Sequence, residues 1–125
     1  QIHLQDVAAT QVKVDPLQLE QVLVNLLGNA LQAAAQNSSP SLTIQINQSV
    51  DKAILQIHDN GPGIQPHVME HLFEPFFTTK QGSGLGLGLS ISRQIVQSYH
   101  GNLQIENHPA GGAIVTLTLP RYISE

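Results

Sequence analysis

The chain has 125 residues, of which 41% are hydrophobic and 11% charged, and its formal net charge is −4 at pH 7. This length and composition predict one globular domain, residues 1–125, and the acidic balance without a basic cluster argues against nucleic-acid binding. The absence of cysteine excludes disulfides and thiolate metal sites, and no apolar run reaches membrane-spanning length, so we expect no membrane contact. Because the chain starts at Gln1 without an initiator methionine or signal peptide, we expect a fragment of a longer protein.

A long helix is predicted to begin at Asp15-Pro16, after short extended segments around Ile2–Leu4 and Val12–Val14. Asp15 can cap the helix, proline suits its first position, and Gln18 stands where a capping box requires it. The apolar residues that follow at helical spacing predict one buried stripe. They are Leu19, Val22, Leu23, Leu26, Leu27, Ala30, Leu31 and Ala34.

Two asparagines, Asn25 and Asn29, lie one turn apart on the same face of this helix. Asparagine is a poor helix former, so both positions need an explanation. One interpretation is that their side chains hydrogen-bond neighbouring backbone. The other is that their amide oxygens face a ligand or a hydrated cation.

A β-hairpin is predicted after a loop at residues 37–40. Its first strand lies within Ser41–Val50, where apolar and polar residues alternate, and its second strand is Ala53–His58. The second strand ends in Asp59, followed closely by Gly61 and Gly63. Glycines in this position are typical of a turn, but an acid at the last strand position is expected to point into the cleft that the turn borders.

The segment Pro66–Phe73 is predicted to be a short helix that contains the pattern His67-x-x-Glu70-His71 of some zinc peptidases. The helix is too short for such a site and lacks a third protein ligand, so we interpret both histidines as surface residues. The next residues contain all three phenylalanines and then Lys80. We expect aromatic packing to anchor this segment before a mobile lid that carries Lys80.

Glycines alternate with leucines in the stretch Gly82–Ile91, which then becomes helical and is expected to end at Gly101. A glycine loop that runs into a helix N-terminus brings backbone N–H groups close to an anion, so it is suited to phosphate. The alternative is a low-complexity surface loop. A closing hairpin is predicted from Leu103–Asn107 and Ala113–Leu119.

Four short motifs follow one another along the chain: Asn25-x3-Asn29, Asp59-x-Gly61-x-Gly63, Phe73-Glu74-Pro75-Phe76 and Gly84-x-Gly86-x-Gly88. They occur in the order of the N, G1, F and G2 boxes, and the chain closely resembles the ATP-binding catalytic domain of two-component sensor histidine kinases, a member of the GHKL superfamily of ATPases. The runs Phe-Phe-Thr-Thr-Lys and Gly-Leu-Gly-Leu-Ser-Ile-Ser are most similar to the nitrogen-regulation and C4-dicarboxylate sensor branch. The resemblance extends from Asp15 to Pro120.

The resemblance implies an α/β (α+β) two-layer sandwich, the Bergerat fold, with about three helices on one face of a mixed, mainly antiparallel sheet. It further implies that ATP and Mg²⁺ are the cofactors, that Asn29 binds the Mg²⁺, and that Asn25 and Lys80 are catalytic. Asp59 would accept a hydrogen bond from the adenine amine. The implied ATP-binding residues are Asn25, Asn29, Gln32, Ala33, Asp59, Gly61, Gly63, Ile64, Phe73, Thr79, Lys80, Gly84, Leu85, Gly86, Leu87, Gly88 and Leu89.

The sequence departs from the family pattern at four positions. Gln32 and Ala33 stand where many members have a lysine and an aromatic residue, so phosphate neutralisation would depend more on Lys80. Leu85 replaces a small hydroxyl residue inside the second glycine box, and Ala113 replaces a threonine in the last hairpin. The contact at Leu85 should be lost or made through backbone alone, and none of the departures abolishes the site.

The phosphoacceptor histidine of this family lies on a preceding helical hairpin, and none of the histidines here has that context. We therefore expect the chain to supply the ATP-holding half of a kinase and to lie in the cytoplasm, whether its parent protein is soluble or anchored in the inner membrane. Its partners would be the phosphoacceptor domain of the same, usually homodimeric, protein and, through the full kinase, a response regulator. The alternatives are a stand-alone clamp ATPase and a degenerate nucleotide-binding module. Clamp relatives have a glutamate, the base that activates water, where this chain has Asn25. The amide of Asn25 cannot accept a proton as a base does.

Overall fold

The computed structural model describes residues 2–5, 12–74 and 88–121. Five strands and three helices follow one another in the described residues. In chain order they are β1 (Ile2–Gln5), α1 (Pro16–Ala34), β2 (Leu42–Gln48), β3 (Lys52–Asp59), α2 (Pro66–Met69), α3 (Gly88–Ser98), β4 (Asn102–Asn107) and β5 (Ala113–Pro120).

The five strands form one sheet in the order β1-β2-β3-β5-β4. β1 runs parallel to β2, and the three other pairs are antiparallel, so the predicted mixed, mainly antiparallel sheet is confirmed. Both predicted hairpins, β2 with β3 and β4 with β5, are present. The segment predicted around Val12–Val14 contributes only one bridge, between Val12 and Arg121.

Helices α1 and α3 pack against one face of this sheet and against each other, which confirms the two-layer sandwich. Alternate strand residues meet the helical stripes, because side chains alternate across a strand and recur every turn along a helix. The buried core between the layers consists of Val22, Leu26, Ala30, Ala34, Leu42, Ile57, Val96, Leu103, Val115, Leu117 and Leu119.

Helix α1 begins where the sequence predicts. Asp15 is the N-cap, its Oδ1 accepts the Leu17 amide at 2.8 Å, and Pro16 is the first helical residue. The prediction that Leu31 belongs to the buried stripe is wrong, since 50% of Leu31 is exposed. At 100° per residue, Leu31 falls on the same side of the helix as the exposed Leu17 and Val24, opposite Leu26.

The predicted capping box at α1 is replaced by a bond to the other helix. The Tyr99 hydroxyl accepts the Asp15 amide at 3.1 Å and donates to Oε1 of Gln18. Gln18 therefore reaches the N-cap amide only through a tyrosine from beyond the end of α3. This contact fixes the N-terminus of α1 against the C-terminal end of α3.

Helix α3 ends one residue earlier than the position of Gly101 suggests. His100 adopts the left-handed conformation with φ 64°, and the Gly101 amide donates to the Val96 carbonyl at 2.9 Å, the bond of a Schellman cap. Gly101 is needed for space instead, because an added Cβ would overlap the Thr118 carbonyl oxygen of β5.

Helix α2 is shorter than the predicted segment 66–73, since regular helix ends at Met69 and turns follow. Among the described helices, none has the length and apolar character that crossing a bilayer requires. The expectation for a lid around Lys80 falls on residues outside the described ranges.

Two glycine-to-alanine variants should change stability in opposite directions. No heavy atom lies within 4 Å of a Cβ built at Gly28, so Gly28→Ala should raise the free energy of unfolding by about 0.5–1 kcal/mol through the lower entropy of the unfolded chain. Gly101→Ala should lower it by about 2 kcal/mol, because β5 must shift. Urea unfolding of both variants tests this pair, and equal effects would contradict the packing described at Gly101.

Candidate functional site

Asp59 is the last residue of β3 and only 4% of its surface is exposed. Its Oδ1 accepts the Gly61 amide at 2.8 Å and the Ala113 amide, at the start of β5, at 3.4 Å. The first bond is an Asx turn, in which the side chain closes the loop that follows its own residue. One carboxylate oxygen therefore joins the loop after β3 to the neighbouring strand.

The loop after Asp59 is packed tightly against its neighbours, so that neither Gly61 in the loop nor Gly112 in the turn before β5 has room for a side chain. A Cβ at Gly61 would lie 2.5 Å from the carbonyl oxygen of Ala33 in α1. A Cβ at Gly112 would overlap the carbonyl oxygen of Asp59, and Gly112 also has φ 80°, which favours glycine. The loop is thus enclosed between the end of α1 and the turn before β5.

Asn60 fixes the near end of this loop. Its Oδ1 accepts the Ser41 amide at 2.9 Å and its Nδ2 donates to the Ser39 carbonyl at 2.8 Å. The Asn60 carbonyl in turn accepts from Nδ2 of Asn37 at 2.9 Å. These bonds hold the loop to the segment between α1 and β2.

Asn107 fixes the far end of the same loop. Its Oδ1 accepts the Ile64 amide at 2.7 Å, and its Nδ2 donates to the Ile64 carbonyl at 2.8 Å. The loop 59–64 is therefore hydrogen-bonded at both ends to elements that are distant in sequence.

Asn25 connects α1 to the beginning of α3. Its Nδ2 donates to the Gly88 carbonyl at 3.4 Å and to the Ser92 hydroxyl at 3.3 Å. The bond to the Gly88 carbonyl agrees with the interpretation that Asn25 hydrogen-bonds neighbouring backbone. Neither bond uses the amide oxygen of Asn25. Asn29 is half-buried one turn further along α1, and Gln32 is exposed.

Several predicted site residues are brought together in this way. Asn25 contacts Gly88, Ala33 contacts the loop at Gly61, and Asp59 is bonded to Gly61 in the loop that leads through Gly63 to Ile64. Half-buried Leu89 packs against the core. The predicted residues Thr79, Lys80, Gly84, Leu85, Gly86 and Leu87 lie outside the described residues.

Phe73 occupies a different environment from the other described members of the predicted site. The Arg93 guanidinium lies over its ring at 4.5 Å from the centroid, a cation–π contact. Both residues line a cavity of about 390 Å³ together with residues 102–106 of β4. This cavity contains none of the other predicted nucleotide-binding residues, so the assignment of Phe73 to the ATP site stays a prediction.

The described residues contain no group of three or more His, Asp or Glu side chains that could hold a metal ion. His71 pairs with Glu74, and both side chains are exposed, as expected for surface residues. A magnesium ion would need oxygen ligands and would keep several of its waters. The half-buried amides of Asn25 and Asn29 on one face of α1 fit that requirement.

The model of the family "Histidine kinase-, DNA gyrase B-, and HSP90-like ATPase" matches residues 14–123. The chain belongs to this ATPase family. Within the family, its relatives are sensor histidine kinases, and it is a histidine-kinase ATPase domain of the kind found in them.

Two relatives illustrate this similarity. The chain is 42% identical over 116 residues to "Sensor protein FixL" of Bradyrhizobium diazoefficiens, covering 92% of the chain and 23% of that protein. It is 44% identical over 95 residues to the "C4-dicarboxylate transport sensor protein DctB" of Rhizobium meliloti, covering 76% of the chain and 15% of that protein. The chain therefore spans a quarter or less of the length of these relatives.

Solved structures of histidine kinase ATPase domains share the fold. The "Mycobacterial sensor histidine kinase MprB" superposes with a TM-score of 0.83 at 30% identity, covering 98% of this chain and 86% of that one. The catalytic domain of histidine kinase ThkA, in a nucleotide-free form, gives a TM-score of 0.81 at 30% identity over 96% of this chain and 78% of that one.

Sequence reasoning missed three polar residues of this ATPase domain: Asn60, Ser92 and Asn107. Asn60 lies inside the Asp-Asn-Gly run, where an asparagine is typical of turns, so its local role had a signal. Ser92 and Asn107 act across the fold on residues distant in sequence, and no periodic pattern marks such contacts.

Ser92→Ala should lower the free energy of unfolding by about 1 kcal/mol, because Ser92 is completely buried and its hydroxyl accepts the Asn25 amide. Ser98→Ala is the matched control, since Ser98 is exposed on the same helix and its hydroxyl bonds only the Ile95 carbonyl one turn back. The control should change stability by less than about 0.5 kcal/mol. Equal losses in urea unfolding would argue against the Asn25–Ser92 contact.

Proposed function

We propose that this domain binds ATP with Mg²⁺ and presents its γ-phosphate to a histidine on a separate phosphoacceptor domain of the same kinase. The observation that carries the proposal is the buried carboxylate of Asp59, held at the strand end beside a loop that is fixed at both ends. Such a preorganised acceptor suits recognition of a base that donates a hydrogen bond.

Asp59 would recognise adenine. Its Oδ1 is occupied by two backbone amides, and neither bond involves the second oxygen. An ionised carboxylate only accepts hydrogen bonds, so the exocyclic amine of adenine is a matching partner. Gly61 and Gly63 would let the backbone of the loop lie close to the base.

Asn25, Asn29 and the N-terminus of α3 would form the phosphate side of the site. The 11-residue helix α3 begins at Gly88 beside Asn25, and the positive end of a helix dipole favours an anion. The proposed role of Asn29 is to bind Mg²⁺, which when present would offset the negative charge of the phosphates. Lys80 and the backbone amides around Gly86 would complete this side.

Phosphoryl transfer is favoured over hydrolysis because Asn25 cannot act as a base toward water. In the transfer, the bond between the γ-phosphorus and the oxygen of ADP breaks, a bond from phosphorus to an imidazole nitrogen forms, and the imidazole gives up its proton. ADP leaves with the electron pair of the broken bond. This makes a clamp-type ATPase the weaker alternative.

Three of the described histidines, His58, His100 and His108, are poor candidates for the acceptor because their rings or backbone serve the fold. The rings of His58 and His108 stack with centroids 4.2 Å apart, and each ring also bonds backbone of the turn before β5. His100 terminates α3. We therefore propose that the acceptor domain, and the response regulator that would take the phosphoryl group, interact with the longer kinase. The proposed location of this domain is the cytoplasm.

Incubation of the 125-residue chain with γ-labelled ATP and Mg²⁺ tests whether the chain binds ATP without containing the acceptor histidine. We expect ATP binding by calorimetry, no stable label on the chain and little release of phosphate. Stable label would place an acceptor within the chain, and rapid release would favour the clamp ATPase. Absence of ATP binding would favour a degenerate module.

Asp59 should make the site prefer ATP over GTP. Guanine presents a carbonyl oxygen where adenine presents its amine, so two acceptors would face each other, and an unmatched buried polar group costs about 1–3 kcal/mol. We expect ATP to bind at least about tenfold more tightly, since about 1.4 kcal/mol is a factor of ten. Calorimetry with both nucleotides measures the ratio.

Two Asp59 variants test base recognition, and Asp59→Asn separates it from folding. Asp59→Asn keeps an oxygen for the Gly61 and Ala113 amides, so it should fold normally, weaken ATP and reduce the preference over GTP. Asp59→Ala removes that oxygen and should lose most affinity for both nucleotides. Equal wild-type affinities for ATP and GTP, or unchanged ATP binding by Asp59→Ala, would remove Asp59 from the site.

A further inference from the structure

The loop 59–64 crosses the end of the sheet from one strand to another. It leaves β3 at Asp59, passes the start of β5, where the Ala113 amide bonds Asp59, and reaches Asn107 at the end of β4. Asn107 and Ala113 are direct partners in the β4–β5 ladder. The loop thus spans three neighbouring strands, and Asn107 is its last attachment.

Asn107 holds Ile64 as a neighbouring strand would hold it. Its carboxamide accepts from the Ile64 N–H at 2.7 Å and donates to the Ile64 C=O at 2.8 Å. A carboxamide can accept and donate at once, whereas a carboxylate can only accept. Gly63 is pressed against the same group, since a Cβ there would lie 3.0 Å from Oδ1 of Asn107, and Gly63 has φ 81°.

We propose that Asn107 is a positioning residue for the adenine base, an inference that rests on the proposed function. The two glycines that would face the base, Gly61 and Gly63, lie between the attachment at Asn60 and the attachment of Ile64 to Asn107, and Asp59 directly precedes the first of these attachments. Loss of the Asn107 bonds leaves the Ile64 end of the loop without its attachment to β4. The position of the Gly61–Gly63 backbone relative to the sheet is then no longer fixed. Asn107 acts through Ile64 and does not itself contact the base.

The test compares Asn107→Ala and Asn107→Asp with Asn102→Ala as the matched control. Asn102 is an exposed asparagine at the opposite end of the same strand, away from the loop. Each protein is titrated by calorimetry with ATP and with inorganic triphosphate, both with Mg²⁺. The triphosphate reports the phosphate side alone, so a difference between the two ligands isolates the base. Amide exchange at Ile64 is followed by NMR without nucleotide.

Asn107→Ala should weaken ATP binding about tenfold and should leave triphosphate binding unchanged. A tenfold change lies within the net contribution of the two hydrogen bonds that this variant removes. The Ile64 amide should exchange faster in Asn107→Ala and stay protected in Asn107→Asp, which keeps the acceptor oxygen. Asn107→Asp should bind ATP with intermediate affinity. Asn102→Ala should match the wild type in all three measurements.

Two results would overturn this role of Asn107. Wild-type affinity for ATP in Asn107→Ala would show that the attachment does not position the base. An equal loss for ATP and triphosphate would show a general loosening of the domain. Failure of the wild-type chain to bind ATP at all is a separate result, because it refutes the proposed function itself.

Discussion

The structure depends on one buried carboxylate oxygen, Oδ1 of Asp59. It accepts amides from the loop that follows β3 and from the first residue of β5. An aliphatic side chain here would leave both amides without this partner, which accounts for an acid at a position with only 4% exposure. The same residue closes the loop, joins two central strands and would supply the acceptor for the base. The fold and the proposed recognition of the base therefore depend on the same side chain.

Around the proposed site, asparagine side chains hold separate segments together with hydrogen bonds, where other proteins often use ion pairs. Only 11% of the residues are charged, and the polar contacts around the site come from Asn25, Asn37, Asn60 and Asn107. A carboxamide pairs with a backbone N–H and C=O together, and it remains neutral at every pH at which the fold exists. These attachments should consequently be insensitive to ionic strength, unlike surface ion pairs.

The sequence predicts the parts of this fold that follow local rules. The start of α1 at Asp15-Pro16 and the end of β3 at Asp59 were both identified from capping and alternation, and the family motifs identified the ATPase fold. What could not be predicted depends on distant partners. The Tyr99 hydroxyl bonds both the Asp15 amide and Gln18 in place of the direct capping-box bond. Asn107 hydrogen-bonds Ile64 at the end of the sheet. His100 takes the left-handed position expected near a glycine, because Gly101 is needed where β5 approaches.

The pairing of β3 with β5 carries a kinetic consequence. These adjacent central strands are far apart in sequence, and nearly all of the proposed site lies either between them in the chain or on α1. The bond from the Ala113 amide to Asp59 can form only after this long intervening segment has been closed into a loop, an entropically costly step. Non-local strand pairing of this kind slows folding. The proposed site for the base should thus form only when β5 has docked and the sheet is complete.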